Sequence, residues 1–181
     1  MRIIAGAWRG RPLVAPPGEA TRPTSDRARE GLFSMLASRL GTFEGLRVAD
    51  LFAGTGALGL EALSRGAAHC TFVEKDRQAV EALKHNVERV GAGDRAEVRA
   101  QDAASFAGGP FHLVLLDPPY GSELGAKAIK RLVETGSIAP GGLVTVESAL
   151  RDAIEAPGLA LETERNYGKA KVTILRAPPA P

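Results

Sequence analysis

From Leu46 onward, apolar runs of strand length alternate with segments of helical spacing, and acidic residues recur where the runs end. The strand-like runs are residues 47–52, 70–74, 96–100, 112–117 and 143–148; the helical ones are 57–64, 77–90 and 125–135. Such alternation leaves few solutions. Each crossover returns the chain to the same edge, so the strands run parallel and helices cover both faces of one sheet. Asp50, Glu74, Asp102 and Asp117 then gather at the carboxyl edge, where open α/β sheets bind ligands. Independent turn signals would have no reason to agree in this way.

The two ends of the chain break the pattern. Residues 159–165 and 171–176 are joined by Asn166-Tyr167-Gly168-Lys169 with no helix between, which predicts an antiparallel hairpin closing the sheet. At the start, residues 2–4 and 12–14 predict a short hairpin, and Pro16-Pro17-Gly18 ends it in a loop. Thr24-Ser25-Asp26 offers capping oxygens to a helix over 27–38, where Ala28, Leu32, Met35 and Leu36 share a face. The expected layout is a basic N-terminal hairpin and helix over 1–45, a core over 46–176 and a disordered tail over 177–181.

With 181 residues, 44% of them hydrophobic, the chain is the size of one domain. It has no apolar span of membrane length and no secretory segment, which predicts a cytoplasmic protein. The single Cys70 excludes an internal disulfide. His69, His85 and His112 are too scattered for a zinc site, so no metal is expected. Net charge is only +2, yet Arg2, Arg9, Arg11, Arg22, Arg27 and Arg29 stand against Glu19 and Asp26 in the first 29 residues. A basic leader on a mildly acidic body predicts a polyanionic partner at one end.

Two motifs carry chemistry. Asp117-Pro118-Pro119-Tyr120 comes directly after the run Phe111-His112-Leu113-Val114-Leu115-Leu116. The prolines end both pairing and helix formation, and having no N–H they add no donor of their own. A carboxylate, a carbonyl and an aromatic face on a stiff turn suit a flat ring that bears an amine. The second motif, Gly54-Thr55-Gly56-Ala57-Leu58-Gly59, is a literal G-x-G-x-x-G, with Glu74 ending the next strand. A dinucleotide fold would set those glycines against a pyrophosphate. Here Asp50 precedes the loop, and Leu51-Phe52-Ala53 intervenes before the first glycine. A carboxylate there repels a pyrophosphate and suits the ammonium group of S-adenosylmethionine, with Glu74 on the ribose hydroxyls and Asp102 on the adenine amine. Asp102 can equally cap the turn after it.

Taken together, these residues resemble the class I S-adenosylmethionine-dependent methyltransferases, and the tetrapeptide resembles their amino-group N-methyltransferases. Met1–Arg11, Arg22-Pro23-Thr24-Ser25-Asp26-Arg27-Ala28-Arg29-Glu30, the loop at 50–59 and Tyr167-Gly168 more specifically resemble the bacterial small-subunit ribosomal RNA guanine-N2 methyltransferases of the RsmD family. The likeness runs from residue 1 to about 176. It departs at Ser25, where the family often has threonine, and after Gly168, where polar residues are missing. The resemblance implies a Rossmann-like, seven-stranded, mostly parallel sheet with its last strand antiparallel. It also implies a monomer acting on small-subunit ribosomal RNA or an assembling small subunit.

The expected cofactor set is Thr24, Asp50, Phe52, Ala53, Gly54, Gly56, Glu74, Lys75, Asp102 and Ala103, and the expected catalytic set Asp117, Pro118 and Tyr120. Arg2, Trp8, Arg9, Arg11, Arg22, Arg27 and Arg29 are expected on RNA, away from the glycine loop. Two readings of Trp8 stand: stacking on RNA, or anchoring the leader to the body. The alternatives are adenine-N6 or cytosine-N4 methylation of DNA, methylation of protein glutamine, a nicotinamide oxidoreductase, and a non-catalytic RNA-binding protein that keeps the cofactor fold.

Overall fold

A computed structural model of the chain describes residues 1–16, 26–121 and 123–181. Arg22 and Thr24, with the cap at Thr24-Ser25, lie outside the described residues. Helix α1 (Asp26–Leu40) precedes the alternating part: β1 (Arg47–Leu51), α2 (Ala57–Ser64), β2 (His69–Val73), α3 (Arg77–Val90), β3 (Ala96–Arg99), β4 (Phe111–Leu116), α4 (Leu124–Glu134), β5 (Ile138–Ala149), β6 (Ala160–Tyr167) and β7 (Ala170–Arg176). Outside the leader, the expected helices and strands are all present. β5 begins five residues earlier than its apolar run, and a register irregularity against β4 separates the two parts.

The sheet order is β3-β2-β1-β4-β5-β7-β6. β1 pairs in parallel with both β2 and β4, so the chain reverses its direction of winding between β1 and β4. β7 enters antiparallel between β5 and β6, as the terminal hairpin required. Helices α1, α2 and α3 pack with Leu113, Leu143 and Ile174 on one face, and α4 packs with Val114, Val144 and Leu175 on the other. Among the described residues, no helix is long and apolar enough to cross a membrane. Past β7, Ala177 N–H donates to Gly142 O (2.8 Å) and Gly141 N–H to Pro178 O (2.9 Å), so regular pairing extends two residues into the segment expected to be disordered.

Among the described residues the expected leader hairpin is reduced to one bridge, Arg2 to Pro12, flanked by the bonds from Ile3 N–H to Arg11 O (3.0 Å) and Leu13 N–H to Met1 O (2.8 Å), and the body holds it in place. Ile4 and Ala5 donate their N–H groups to the carboxylate of Glu61 at 2.8 and 3.1 Å, and Arg65 completes that buried cluster at 2.9 Å. Trp8 donates its backbone N–H to Ser64 Oγ (3.0 Å), its side chain is buried, and the Arg95 guanidinium lies 5.4 Å from the ring centroid. Of the two readings of Trp8, the anchor is the one observed, and a ring engaged in this way cannot also stack on RNA. Arg29 is likewise withdrawn from the expected RNA contacts. It is fully buried and donates to Asp26 Oδ1 (2.8 Å) and Arg2 O, a structural arginine on the apolar face of α1. Arg2, Arg9, Arg11 and Arg27 remain exposed.

Replacing Glu61 by alanine strands two leader N–H groups and the Arg65 guanidinium. Breaking a buried pair of this kind costs about 3 kcal/mol. Denaturant unfolding of Glu61→Ala should show that loss, with the leader becoming the first site of protease cleavage. A change within ±0.5 kcal/mol, the scale of a neutral surface substitution, would mean the leader is held by other contacts.

Candidate active site at the carboxyl edge of the sheet

A cavity of about 760 Å³ opens at the carboxyl ends of β1, β2, β3 and β4. Of the expected site residues, Asp50, Phe52, Ala53, Gly54, Glu74, Lys75, Asp102, Ala103, Asp117, Pro118 and Tyr120 line it. Gly56 does not. A Cβ on Gly54 would meet nothing within 4 Å, leaving its backbone open to a ligand, whereas one on Gly56 would lie 2.4 Å from Leu83 Cδ1. Gly56 also has φ near 86°, so it serves the turn and the packing of α3 in place of ligand approach. The third glycine of the motif, Gly59, lets α2 lie against Phe72 and Cys70 of β2.

The loop is held from the neighbouring strand. Ala53 N–H donates to Val73 O (3.0 Å), and Gly54 N–H to Glu74 Oε1 (2.9 Å). Glu74 Oε2 accepts from Asp76 N–H (2.8 Å), so one carboxylate fixes both the glycine loop and the entry to α3. Phe52 sits at φ 59°, a left-handed conformation costly for a non-glycine residue, where the chain leaves β1 for the loop. Asp102 accepts from Ala104 N–H (3.0 Å) while also lining the cavity, so capping does not withdraw it from the cavity.

Asp50 is almost fully buried, and its Oδ2 accepts from Gly59 N–H at 2.9 Å. Burial pushes its carboxyl well above the ordinary range; the Gly59 bond opposes that, and the charges of Asp117 and Glu74 add to it. A cation in the cavity relieves this strain. On the far side, Asp117 N–H reaches Leu51 O at 3.4 Å, and the buried Pro118 packs near Gly125 of α4. The Tyr120 hydroxyl donates to Glu147 Oε1 at 3.3 Å.

Three residues escaped the sequence reading. Glu147 is a buried acid inside the apolar run of β5, a fifth acidic residue near a strand end. Asn86 and Glu61 are fully buried polar residues, set in the apolar surfaces of α3 and α2. The available signal was a lone polar residue where helical spacing demanded an apolar one. The leader is also closer to the site than expected, because Met1 and Ala15 both line the cavity.

A doubly wound sheet with an acid before its glycine loop and acids after the next strands has the class I methyltransferase fold. The family described as conserved hypothetical protein 95 matches residues 1–176, and the chain belongs to it. This bears out the resemblance to the RsmD family. The chain is 42% identical to "Ribosomal RNA small subunit methyltransferase D" of Escherichia coli (strain K12), over 85% of this chain and 77% of that protein. It is 36% identical to "Putative rRNA methyltransferase YlbH" of Bacillus subtilis (strain 168), over 97% and 98%. Among solved structures, "Putative methyltransferase yhhF" from Escherichia coli superposes with a TM-score of 0.88 at 36% identity, covering 99% of each chain.

The raised Asp50 carboxyl makes a signed prediction about stability. Below the unfolded-state value of about 3.9 the residue is protonated in both states and costs nothing. As pH rises past that value the folded state keeps its proton longer than the unfolded state, so stability falls. Asp50→Asn, which can still accept from Gly59, should therefore be at least as stable as the parent at pH 7. Its advantage should shrink toward pH 4. Denaturation of both proteins across that range checks the sign, and a deficit at pH 7 that disappears toward pH 4 would contradict it.

Proposed function

We propose that this chain transfers the sulfonium methyl group of S-adenosylmethionine to the exocyclic N2 of a guanine in small-subunit ribosomal RNA. The observation that carries the reading is a cavity joining the Gly54–Glu74 loop contact to Asp117-Pro118-Pro119-Tyr120. The names of the curated relatives support ribosomal RNA as the substrate over DNA or protein. Glu74 and Asp102 take the ribose hydroxyls and the adenine amine. Gly54 gives the backbone approach, and Asp50 supports the amino-acid end.

The bound donor supplies an electrophilic methyl: the new C–N bond forms as the C–S bond breaks and sulfur keeps the electron pair. Guanine N2 is a poor nucleophile because its lone pair is delocalised into the ring. Asp117 accepts one N2–H and the Pro118 carbonyl the other, which favours a pyramidal nitrogen with its lone pair turned to the methyl. Prearranged acceptors and alignment supply most of the acceleration. Once the nitrogen is cationic its proton leaves to Asp117 or to water. Tyr120 stacks on the extruded base and offsets part of the unstacking cost, with its ring steadied by the bond to Glu147.

Transfer of a radiolabelled methyl group to small-subunit RNA, with the modified nucleotide mapped, tests the assignment. Label on an adenine, on DNA, or on no nucleic acid would overturn it. In the same assay Asp117→Ala should lose at least about a thousandfold in turnover while keeping donor affinity, as expected when an electrostatic contact to the reacting group is removed. Tyr120→Phe keeps the ring and loses one hydrogen bond to the Glu147 carboxyl group, so it should fall by about tenfold or less; Tyr120→Ala should fall much further. Wild-type turnover by Asp117→Ala would relocate the active site.

Arg2, Arg9, Arg11 and Arg27 give the leader its exposed positive charge, and Arg11 also donates to Val90 O at 3.2 Å. Phosphate contacts of this kind supply affinity more than sequence choice. The double change Arg9→Ala and Arg11→Ala should weaken RNA binding and reduce its salt slope by roughly one to two units. An unchanged slope would mean that RNA docks elsewhere.

A further inference from the structure

The buried surface of α3 consists of Ala79, Val80, Leu83, Val87 and Val90, with one polar residue among them, Asn86. A fully buried amide on an apolar face is costly unless its donors and acceptor are all engaged. Those of Asn86 are. Its Oδ1 accepts from Val14 N–H at 2.9 Å, and its Nδ2 donates to Val14 O at 3.0 Å, so the side chain pairs with the leader as a neighbouring strand would. The same Nδ2 donates to Thr55 O at 3.0 Å. Thr55 stands between Gly54 and Gly56, at the centre of the glycine loop. One amide therefore ties a leader residue 72 positions away to the loop that forms the floor of the cavity. The loop's other ties, Ala53 N–H to Val73 O and Gly54 N–H to Glu74, come from β2. Among the described residues, Asn86 supplies a tie from the leader side.

The leader reaches the cavity at two points, since Met1 and Ala15 line it and Leu13 N–H donates to Met1 O at 2.8 Å. Ala15 is the next residue after the one that Asn86 holds. We propose that Asn86 is a positioning residue for the methyl donor, acting through Thr55 and Val14, and that the leader is thereby an energetically coupled wall of the donor site. The inference rests on the reading of the cavity as a donor site and adds a specific coupling to it. Occupancy of the cavity tightens the hold on Val14, and by reciprocity loss of the Val14 contact weakens occupancy by the same factor.

The test uses the full chain and S-adenosylhomocysteine as the probe. Asn86→Asp keeps the shape and replaces the doubly donating nitrogen with an oxygen facing two carbonyls. Probe affinity should fall by about tenfold or more, the scale of a buried polar group left unsatisfied. Because that variant can fail to fold, the second is Val14→Pro. It sits at an exposed leader position and removes the N–H donated to Oδ1, with Val14→Ala, which keeps that N–H, as the control for the lost side chain. Val14→Pro should weaken the probe by about threefold or more, the scale of one modest hydrogen bond, measured at a temperature where circular dichroism shows the variant fully folded, since the unpaired Oδ1 also lowers the unfolding temperature. The Michaelis constant for the donor should rise in Val14→Pro while turnover at saturation holds. In the parent protein, saturating probe should slow hydrogen exchange at the Val14 amide. Parent-level probe affinity in Val14→Pro, or exchange at Val14 indifferent to the probe, would overturn the coupling. A parent protein that binds no S-adenosylhomocysteine would instead bring down the donor-site reading itself, and this inference with it.

Discussion

Parallel pairing of β1 with both β2 and β4 is the constraint that builds the site. Register sets Leu51 beside Val73 on one side and Leu116 on the other, so the next residues along β2 and β4 are Glu74 and Asp117. Three carboxylates from separate parts of the chain are thus delivered to one edge by hydrogen bonds between strand backbones. Their mutual repulsion is visible at Asp50, whose carboxyl is raised by burial first and by Asp117 and Glu74 after it. A sheet edge that concentrates negative charge at partly buried positions favours a cationic ligand. The sulfonium and ammonium groups of a methyl donor meet that demand, and a pyrophosphate does not.

The same edge explains why the glycine motif alone misleads. Its spacing fits a dinucleotide loop as well as a methyl-donor loop. Its three glycines do three different jobs: Gly54 faces the cavity, Gly56 makes the turn beside Leu83, and Gly59 brings α2 onto β2. Only the first has its backbone open to the cavity. Glu74, which closes the loop by accepting from Gly54 N–H, is what ties the motif to the next strand.

The alternation of elements, the terminal hairpin and most of the cavity lining were legible in the sequence because each depends on local periodicity or on the residues at a strand's end. The choice between the two readings of Trp8, and the burial of Arg29, were not. Both belong to a basic leader whose composition suggested an RNA-docking surface, and composition cannot tell which member of a charged segment turns inward. Arg29 lies on the same helical face as Leu32 and Leu36, so its position was open to reading, but its partners Asp26 and Arg2 O were not. Glu61, Asn86 and Glu147 have a common cause. Each is a polar residue in an apolar surface, and the first two are satisfied by leader groups 57 and 72 positions away. Periodicity marks such residues as exceptions without naming what satisfies them. Met1 and Ala15 of the leader consequently line the cavity, where charge alone had made the leader a docking surface away from the glycine loop.

The central claim is that the carboxyl edge holds the methyl donor with its reactive carbon turned toward Asp117-Pro118-Pro119-Tyr120. A crystal structure of the full chain with S-adenosylmethionine or a non-reactive analogue tests it most directly. The account predicts the ribose hydroxyls on Glu74, the adenine beside Asp102, the amino-acid end near Asp50, and the sulfur facing the Pro118 carbonyl across an open space large enough for a base. A donor bound elsewhere, or bound here with its sulfur turned away from Asp117, would contradict it.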